Sequence, residues 1–301
     1  MSFKQELIKK FNRSIFENAK LSNYSWFNLG GPAEYLFKPE NDEQLIEFLE
    51  ENKKNKLDIT ILGAGSNTLI RDQGIKGVVI KLGSEFSKIN LIDKDIIKAG
   101  AAALDKRISQ FALDNGIGNL EFLSCIPGSI GGAVVMNSGC YNNDISKVLI
   151  SIEVIDIIEC RKKEIQSENI KFFYRGNNLS NNLIITSVKL RGKLKSKKIV
   201  EEFQNKLINK KKLSQPSRIK TCGSTFKNLE NNKKAWELIK ETGCDEFKEG
   251  DAIISKKHCN FFVNNGNANS TDIERLINKV KQTVYKKTGI NLELEIKIIG
   301  D

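Results

Sequence analysis

Apolar residues at Phe3, Leu7, Ile8, Phe11 and Ile15 recur at helical spacing, so residues 1–20 read as a helix that gives way to the loop formers Ser22, Asn23 and Ser25. A short strand follows at Ala33 to Phe37. A helix then opens at Asn41-Asp42, whose side chains can cap it, and runs through Leu45, Ile46 and Leu49. Leu57 to Leu62 reads as a buried strand entering a glycine turn, Val78 to Leu82 as a second strand, and Leu104 to Asn115 as a helix. From Ser151 the pattern turns strand-like, with Val154, Ile155, Ile157 and Ile158, then Phe172-Phe173-Tyr174-Arg175, then the alternating run Leu183 to Leu190. Ile199 to Leu207 is amphipathic within a lysine-rich helical connector. Trp236 to Thr242 is a helix closed by Gly243, and Asn260 to Asn264 is a strand. Ser270 to Thr288 carries Ile273, Leu276, Ile277, Val280 and Val284 along one stripe and stops at Gly289. Leu292 to Ile299 alternates, which puts Glu293 and Glu295 on one face.

Composition narrows the class. A chain of 301 residues and 33.9 kDa can bury a substantial core and suggests two domains, or one with an added lobe. With 40% hydrophobic and 28% charged residues, global disorder is excluded. A formal charge of +11 attracts anionic partners without choosing among nucleic acid, phosphorylated metabolites and acidic lipids. Part of the excess lies in 191–212, where Arg191, Lys193, Lys195, Lys197, Lys198, Lys206 and Lys210 to Lys212 read as a solvated helix face. Phe203 is the lone aromatic there, which argues against a nucleic-acid surface. The six cysteines, at 125, 140, 160, 222, 244 and 259, form no C-x-x-C and no Cys/His pair at zinc spacing. No bound metal is therefore expected, and the compartment is expected to be reducing. The charged amino terminus and the lack of a membrane-length apolar run predict a soluble cytoplasmic protein with no membrane partner.

Two glycine-rich loops carry candidate cofactor chemistry. In the first, Gly63-Ala64-Gly65-Ser66-Asn67, the spacing invites a dinucleotide-binding reading with Glu85 as the ribose acid. Thr68 stands where the third glycine belongs, and the segment beyond runs into a strand, so a strand-loop-strand with backbone N–H groups facing a phosphate fits better. The second loop runs Cys125-Ile-Pro127-Gly128-Ser129-Ile-Gly131-Gly132-Ala133 and leads into Val134 to Asn137, again with small residues that let a ligand approach the backbone. Two such cradles in one lobe suggest a single extended dinucleotide.

Residues 221–228, Thr-Cys-Gly-Ser-Thr-Phe-Lys-Asn, set a small hydroxyl beside a glycine and ahead of an aromatic, a cation and an amide. With Tyr174-Arg175 and with Glu293 and Glu295, they could supply a proton donor, a guanidinium and a carboxylate to an anionic substrate.

The chain resembles the UDP-N-acetylenolpyruvoylglucosamine reductases of peptidoglycan synthesis. The likeness rests on seven blocks in order: Asn28-Leu-Gly-Gly-Pro-Ala, Leu62-Gly-Ala-Gly-Ser-Asn, Ile126-Pro-Gly-Ser-Ile-Gly-Gly, Tyr174-Arg175, Gly223-Ser-Thr-Phe-Lys-Asn, Ser255-Lys-Lys-His-Cys-Asn-Phe and Leu292-Glu-Leu-Glu. The resemblance implies an α+β fold, with an FAD-binding lobe of the vanillyl-alcohol-oxidase (PCMH) type and a smaller α/β substrate-binding lobe. It implies non-covalent FAD, NADPH as co-substrate and a nucleotide-sugar substrate. By the same resemblance Ser224, Arg175 and Glu295 are catalytic: Ser224 protonates the substrate, while Arg175 and Glu295 hold its carboxyl group. Glu293 is the competitor of Glu295. Tyr174, Lys227 and Asn228 meet the sugar nucleotide. Gly63, Ala64, Gly65, Ser66, Asn67, Pro127, Gly128, Ser129, Gly131 and Gly132 hold FAD.

Three departures from the family pattern stand out: Cys222 replaces a small residue, Leu229 replaces proline, and Gly176-Asn177 stand where a serine is usual two residues after the arginine. The first two are expected to reshape the donor loop slightly, the third to weaken hydrogen bonding near Arg175. No insertion precedes Lys189, which marks the shorter subclass. His258, the lone histidine, lies far from the glycine loops and is expected to be structural. The expected division is a flavin-binding region over 1–195, with subdomains near 1–83 and 84–195, a substrate domain over 196–290, and a closing strand over 291–301, in a monomer. A flavin oxidoreductase of the same fold acting on a small alcohol or sugar is the alternative, and a salt-sensitive nucleic-acid binder the third.

Overall fold

The computed structural model describes residues 3–229 and 233–301, and the first two residues of the helix predicted over 1–20 lie outside them. The chain forms two compact units. One comprises residues up to Glu17, Tyr35–Ala64 and Gly77–Lys211; the other comprises Asn18–Glu34, Gly65–Lys76 and Lys212–Asp301.

Helix α1 spans Phe3–Lys10, shorter than its apolar spacing predicts, because Ile15–Lys20 is a strand. Ile15 is the one buried residue in that strand, so no alternation betrays it. Its hydrogen bonding to Pro32–Phe37 decides its conformation, in a sheet ordered Ile15–Lys20, Pro32–Phe37, Ile75–Ile80, Ile59–Ile61. The last two strands are parallel, with Thr60 opposite Val79. Helix α2, Asp42–Asn55, opens where the sequence places it: the Asn41 side chain accepts from the Gln44 N–H, and Asp42 and Glu43 lie in the first turn. Its Phe48 stacks on Phe37 at 4.1 Å between ring centres, and Phe11 meets both rings edge-on.

The same unit holds a five-stranded antiparallel sheet ordered Arg161–Gln166, Leu149–Asp156, Leu183–Arg191, Ile96–Gly100, Ile89–Asp93. One face sends Ile97, Ala99, Ile152, Val154, Val188 and Leu190 into a core shared with Ile108 and Ala112 of α3, Asp105–Asp114, and with Ile130 and Val134 of α4, Ile130–Val135. The other face is divided: Ile155 and Ile184 join the core around Phe37 and Phe48, while Lys98 and Lys162 pair with Glu153. Burial opposes the Glu153 charge, yet hydrogen bonds from Lys98, Ser187 and Lys162 outweigh it and hold the carboxyl down at about 2. Helix α5, Lys197–Ser214, follows and buries Val200, Gln204 and Leu207.

The second unit contains α6, Ala235–Glu241, and α7, Ser270–Thr288. Asn269 and Asp272 cap α7 reciprocally, the Asp72 carboxylate accepts from the Ser270 N–H, and Gly289 ends the helix at φ 73°. The predicted apolar stripe of α7 is buried as Ile273, Leu276, Ile277, Val280 and Val284, in one core with Leu238 and Ile239 of α6 and with Phe226 and Phe262. Each such side chain removed from water stabilises the unit by about 1.5–3 kcal/mol. Lys248–Glu249, Ala252–Ile254 and Phe262–Asn264 form an antiparallel sheet. Of the alternating segment 292–299, only Lys297–Ile299 is a ladder strand, and it pairs in parallel with Thr68–Ile70.

Candidate active site

In the first unit Gly63-Ala64, the start of the first glycine loop, lies beside the second loop at Ser129. A side chain on Gly63 would meet Ser129 Oγ at 3.1 Å. The N–H groups of Gly63, Ala64, Gly128 and Ser129 have no hydrogen-bond partner among the described residues. Four such donors with small or absent side chains suit an anionic pyrophosphate. The loop predicted over 125–133 in fact turns into α4 at Ile130, in spite of its two glycines. The Ile130 and Gly131 N–H groups are taken by the carbonyls of Ala103 and Ala101, so Gly131 contributes close packing, not a free donor. A Cβ there would stand 2.9 Å from that of Ala101.

Two lysines anchor these loops. Lys81 Nζ donates to the Gly63 carbonyl at 2.6 Å and Lys211 Nζ to the Cys125 carbonyl at 2.7 Å. Burial lowers both ammonium pKa values, reinforced for Lys81 by Lys38 and opposed for Lys211 by the nearby cysteine sulfurs. Sequence reasoning missed Lys81, which reads as the polar end of a strand. It also took Lys211 for part of a solvated face, although the side chain turns inward to the loop.

Gly65, Ser66 and Asn67 belong to the second unit. The Gly65 carbonyl accepts from the Trp26 N–H, and its α-carbon packs so tightly on Tyr24 that a Cβ would overlap the Tyr24 carbonyl oxygen at 1.8 Å. Asn67 Nδ2 donates to the Glu295 carbonyl at 3.0 Å, while the Asn67 carbonyl accepts from the Lys297 N–H. Asn67 thus fastens the closing segment, a role the motif does not announce. Cys222 lies beneath this loop, its thiol 3.3 Å from the Thr68 carbonyl; burial, only partly offset by backbone hydrogen bonds, pushes it up to about 12.

Ser224 to Lys227 are gripped from both sides. Ser224 bridges Phe261, the Thr225 N–H donates to the Asn260 carbonyl, and the buried Asn260 side chain accepts from the Phe226 N–H and donates to its carbonyl. On the other side Phe226 bridges Leu294, the Glu295 N–H donates to the Thr225 carbonyl and the Lys227 N–H to the Glu293 carbonyl. Ser224 and Glu295 therefore stand on adjacent extended segments joined by isolated bridges and backbone hydrogen bonds. The two glutamates separate clearly: the Glu293 side chain is 75% exposed and pairs with Lys227 Nζ at 3.3 Å, whereas Glu295 is half-buried. Asn228 Oδ1 accepts from the Ala235 N–H and so caps α6. Gly223, at φ 80°, has open space where a side chain would be, so backbone conformation alone selects it.

Tyr174 and Arg175 belong to the first unit, at the turn of a hairpin pairing Phe172 with Asn177 and Phe173 with Gly176. Arg175 sits at φ 59°, a strained conformation for such a residue, and its guanidinium lies 4.8 Å from the Tyr174 ring centre. The expectation that Asn177 weakens the local hydrogen bonding is overturned. Its amide donates to the Val134 and Val135 carbonyls, and Asn137 donates to the Phe173 carbonyl, so two amides pin the hairpin to the end of α4.

His258 accepts from the Asn260 N–H through Nδ1 and packs edge-on against Phe261, and burial lowers its pKa. Its contacts support the Asn260 clamp. Among the described residues no group of three or more His, Cys, Asp or Glu side chains could hold a metal ion.

A model of the FAD binding domain matches residues 33–157, a stretch of sequence that includes both glycine loops. The model of the UDP-N-acetylenolpyruvoylglucosamine reductase C-terminal domain matches residues 215–299, which include the Ser224 strand and Glu295. UDP-N-acetylenolpyruvoylglucosamine reductases from Pelagibacter ubique and Orientia tsutsugamushi (strain Boryong) are 48% and 42% identical. The first alignment covers 98% of this chain and 99% of the relative, the second 97% of each. The crystal structure of UDP-N-acetylenolpyruvylglucosamine reductase from Thermus caldophilus matches with a TM-score of 0.83 at 32% identity, over 94% of this chain and 98% of that one. The chain belongs to the UDP-N-acetylenolpyruvoylglucosamine reductase family.

Proposed function

We propose that the protein reduces UDP-N-acetylglucosamine enolpyruvate to UDP-N-acetylmuramate, with bound FAD and with NADPH as the source of electrons. The observation that carries this reading is near-full-length similarity to reductases of that name, which extends across the Ser224 strand. FAD, when bound, supplies the hydride taken from NADPH. The residues assigned to hold it are Gly63, Ala64, Gly65, Ser66, Asn67, Pro127, Gly128, Ser129, Gly131 and Gly132; the unpartnered N–H groups of Gly63, Ala64, Gly128 and Ser129, and the hydrogen bond from Lys81 to the Gly63 carbonyl, support an anion-binding role.

Hydride adds to the β-carbon of an unsaturated carboxylate, so negative charge builds on the α-carbon and the carboxyl oxygens. Ser224 is assigned the proton delivered to the α-carbon, and its strand, fixed on both edges, keeps the hydroxyl in place. Arg175 is assigned the substrate carboxylate, with Tyr174 orienting the guanidinium by its ring. Glu295, protonated or hydrogen-bonded, polarises the same carboxyl group, since two bare carboxylates repel. Lys227 and Asn228 are assigned to the sugar nucleotide. The functional division is a flavin-binding region over 1–195, a substrate domain over 196–290 and a return strand over 291–301; the two family models support it by matching 33–157 and 215–299. The protein acts as a cytoplasmic monomer in cell-wall precursor synthesis. No helix among its described residues is long and apolar enough to cross a membrane.

The test is NADPH consumption by purified protein with and without UDP-N-acetylglucosamine enolpyruvate. Consumption that depends on the enol ether supports the reading. Flavin reduction without any response to the enol ether keeps the fold, discards the substrate, and favours an oxidase of small alcohols or sugars.

A further inference from the structure

Both loops assigned to the flavin present N–H groups without a hydrogen-bond partner among the described residues, but the peptides that carry them are braced differently. Strands Ile59–Ile61 and Ile75–Ile80 run parallel, with Ile61 opposite Ile80, so the chain leaves both strands at the same end. The Leu62 N–H extends the pairing to the Ile80 carbonyl, and the Lys81 N–H donates to the Phe37 carbonyl, each at 2.9 Å. Lys81 is thereby fixed next to the start of the glycine loop. Its half-buried side chain turns to that loop, and Nζ donates to the Gly63 carbonyl at 2.6 Å.

That carbonyl shares a planar trans peptide with the Ala64 N–H, and the two point in opposite directions. A donor on the oxygen therefore settles which way the N–H faces. Because the donor is an ammonium, the hydrogen bond is charge-assisted, and it polarises the peptide so that the Ala64 N–H becomes a stronger donor. The Ala64 N–H has no partner among the described residues, so this polarisation is not spent within the fold. The second loop repeats the device without the charge. Its Gly128 carbonyl accepts from the Asp105 N–H at 3.1 Å, and the Ser129 N–H of the same peptide has no partner among the described residues. Lys211 has the charge without the device. It holds the Cys125 carbonyl at 2.7 Å, but the N–H of that peptide, on Ile126, is taken by the Leu123 carbonyl at 3.1 Å.

We propose that Lys81 is a positioning residue for FAD: from the far side of the Gly63–Ala64 peptide it aims and strengthens one N–H donor toward the cofactor's diphosphate. The proposal rests on the assignment of Gly63, Ala64, Gly128 and Ser129 to that diphosphate. Without the charge the Ala64 N–H loses both its polarisation and its fixed direction. With the charge carried by another side chain it keeps both.

The test is equilibrium binding of FAD to the full chain, followed by quenching of flavin fluorescence, with the phosphorus NMR resonances of the bound diphosphate as a second readout. Lys81→Met, which keeps the stem and removes the charge, is expected to bind FAD about ten-fold more weakly and to shift those resonances. Lys81→Arg, which restores a charged donor, is expected to recover both. Lys211→Met is the matched comparison, with an expected loss of less than about three-fold and resonances that stay in place. Should Lys81→Met fail to fold, Lys81→Gln, which keeps an uncharged donor, takes its place and is expected to bind FAD more weakly than Lys81→Arg. Wild-type affinity in the uncharged variant overturns the proposal, as does failure of arginine to rescue or an equal loss in Lys211→Met. A wild-type chain that binds no FAD overturns the assignment of the loops and the proposal together, whereas the other failures leave that assignment standing.

Discussion

Ser224 and Arg175 are assigned to the same reaction and are held by opposite means. The Ser224 strand is gripped through its backbone, between Asn260-Phe261 on one side and Glu293 to Glu295 on the other, with a buried amide closing the pairing. The Arg175 turn is held through side chains: two amides, Asn137 and Asn177, pin a hairpin whose tip carries a left-handed arginine. The difference suits the roles proposed for the two groups. A hydroxyl on a one-carbon stem reaches a single point, so its backbone has to be right. A guanidinium has a long stem, and a hairpin tip leaves it room to adjust while limiting its direction.

The largest effect that can break this comparison is chemical. Ser224→Ala is expected to lower enolpyruvate-dependent turnover about 10²- to 10⁴-fold while NADPH still reduces the flavin. A stopped-flow trace that separates the two half-reactions checks this, and loss of flavin reduction as well would mean that the strand, and not the hydroxyl, had failed. Next comes Asn260→Ala, which strips both hydrogen bonds from the buried Phe226 peptide. A loss of about 2–3 kcal/mol is expected, read as a shifted denaturant midpoint at unchanged slope. On the other arm Asn177→Ala, which removes the amide's hydrogen bonds to the Val134 and Val135 carbonyls, should cost about 1 kcal/mol and show mainly as a raised KM for the enol ether. A loss as large as that at Asn260 would erase the distinction drawn here. Gly223→Ala should cost about 1 kcal/mol, the conformational penalty alone, because no atom stands within 4 Å of the added methyl.

The smallest effect is a control in the unit that carries Arg175. The Glu153 carboxyl ordinarily titrates at 4.5 and is held at about 2. A depressed folded pKa means that the contribution is present above pH 4.5 and is lost as pH falls toward 2. Glu153→Gln should flatten acid unfolding in that window alone and leave turnover at neutral pH unchanged.

Much of this was legible in the sequence. The α7 stripe, its Gly289 stop and the Asn41 cap of α2 are local devices, and local devices read locally. The alternation of Leu292 to Ile299 suggested a strand with Glu293 and Glu295 on one face, but it did not tell that only residues 297–299 join a ladder or that Glu293 faces solvent beside Lys227. Ile15–Lys20 was hidden because a strand with one buried residue carries no period. Helix α4 was hidden because two glycines argue against a helix, and the close approach to Ala101 that requires a small residue at 131 comes from a distant strand end. Lys81 and Lys211 gave no signal at all, since a lysine that turns inward and one that turns outward are the same letter. Asn177 was misread because the family pattern suggested a missing hydroxyl, when an amide can donate two hydrogen bonds in its place.

The parallel pairing of Thr68–Ile70 with Lys297–Ile299 bears on how the molecule is born. A ribosome makes the first strand about 230 residues before the second, so Asn67 waits for both of its partners, the Glu295 carbonyl and the Lys297 N–H, until residue 297 has been made. A contact of such sequence separation closes late and slowly. The loop at 65–67 thus gains its final shape only once residue 297 is in place, and a chain that stops short of it would emerge with that loop unset.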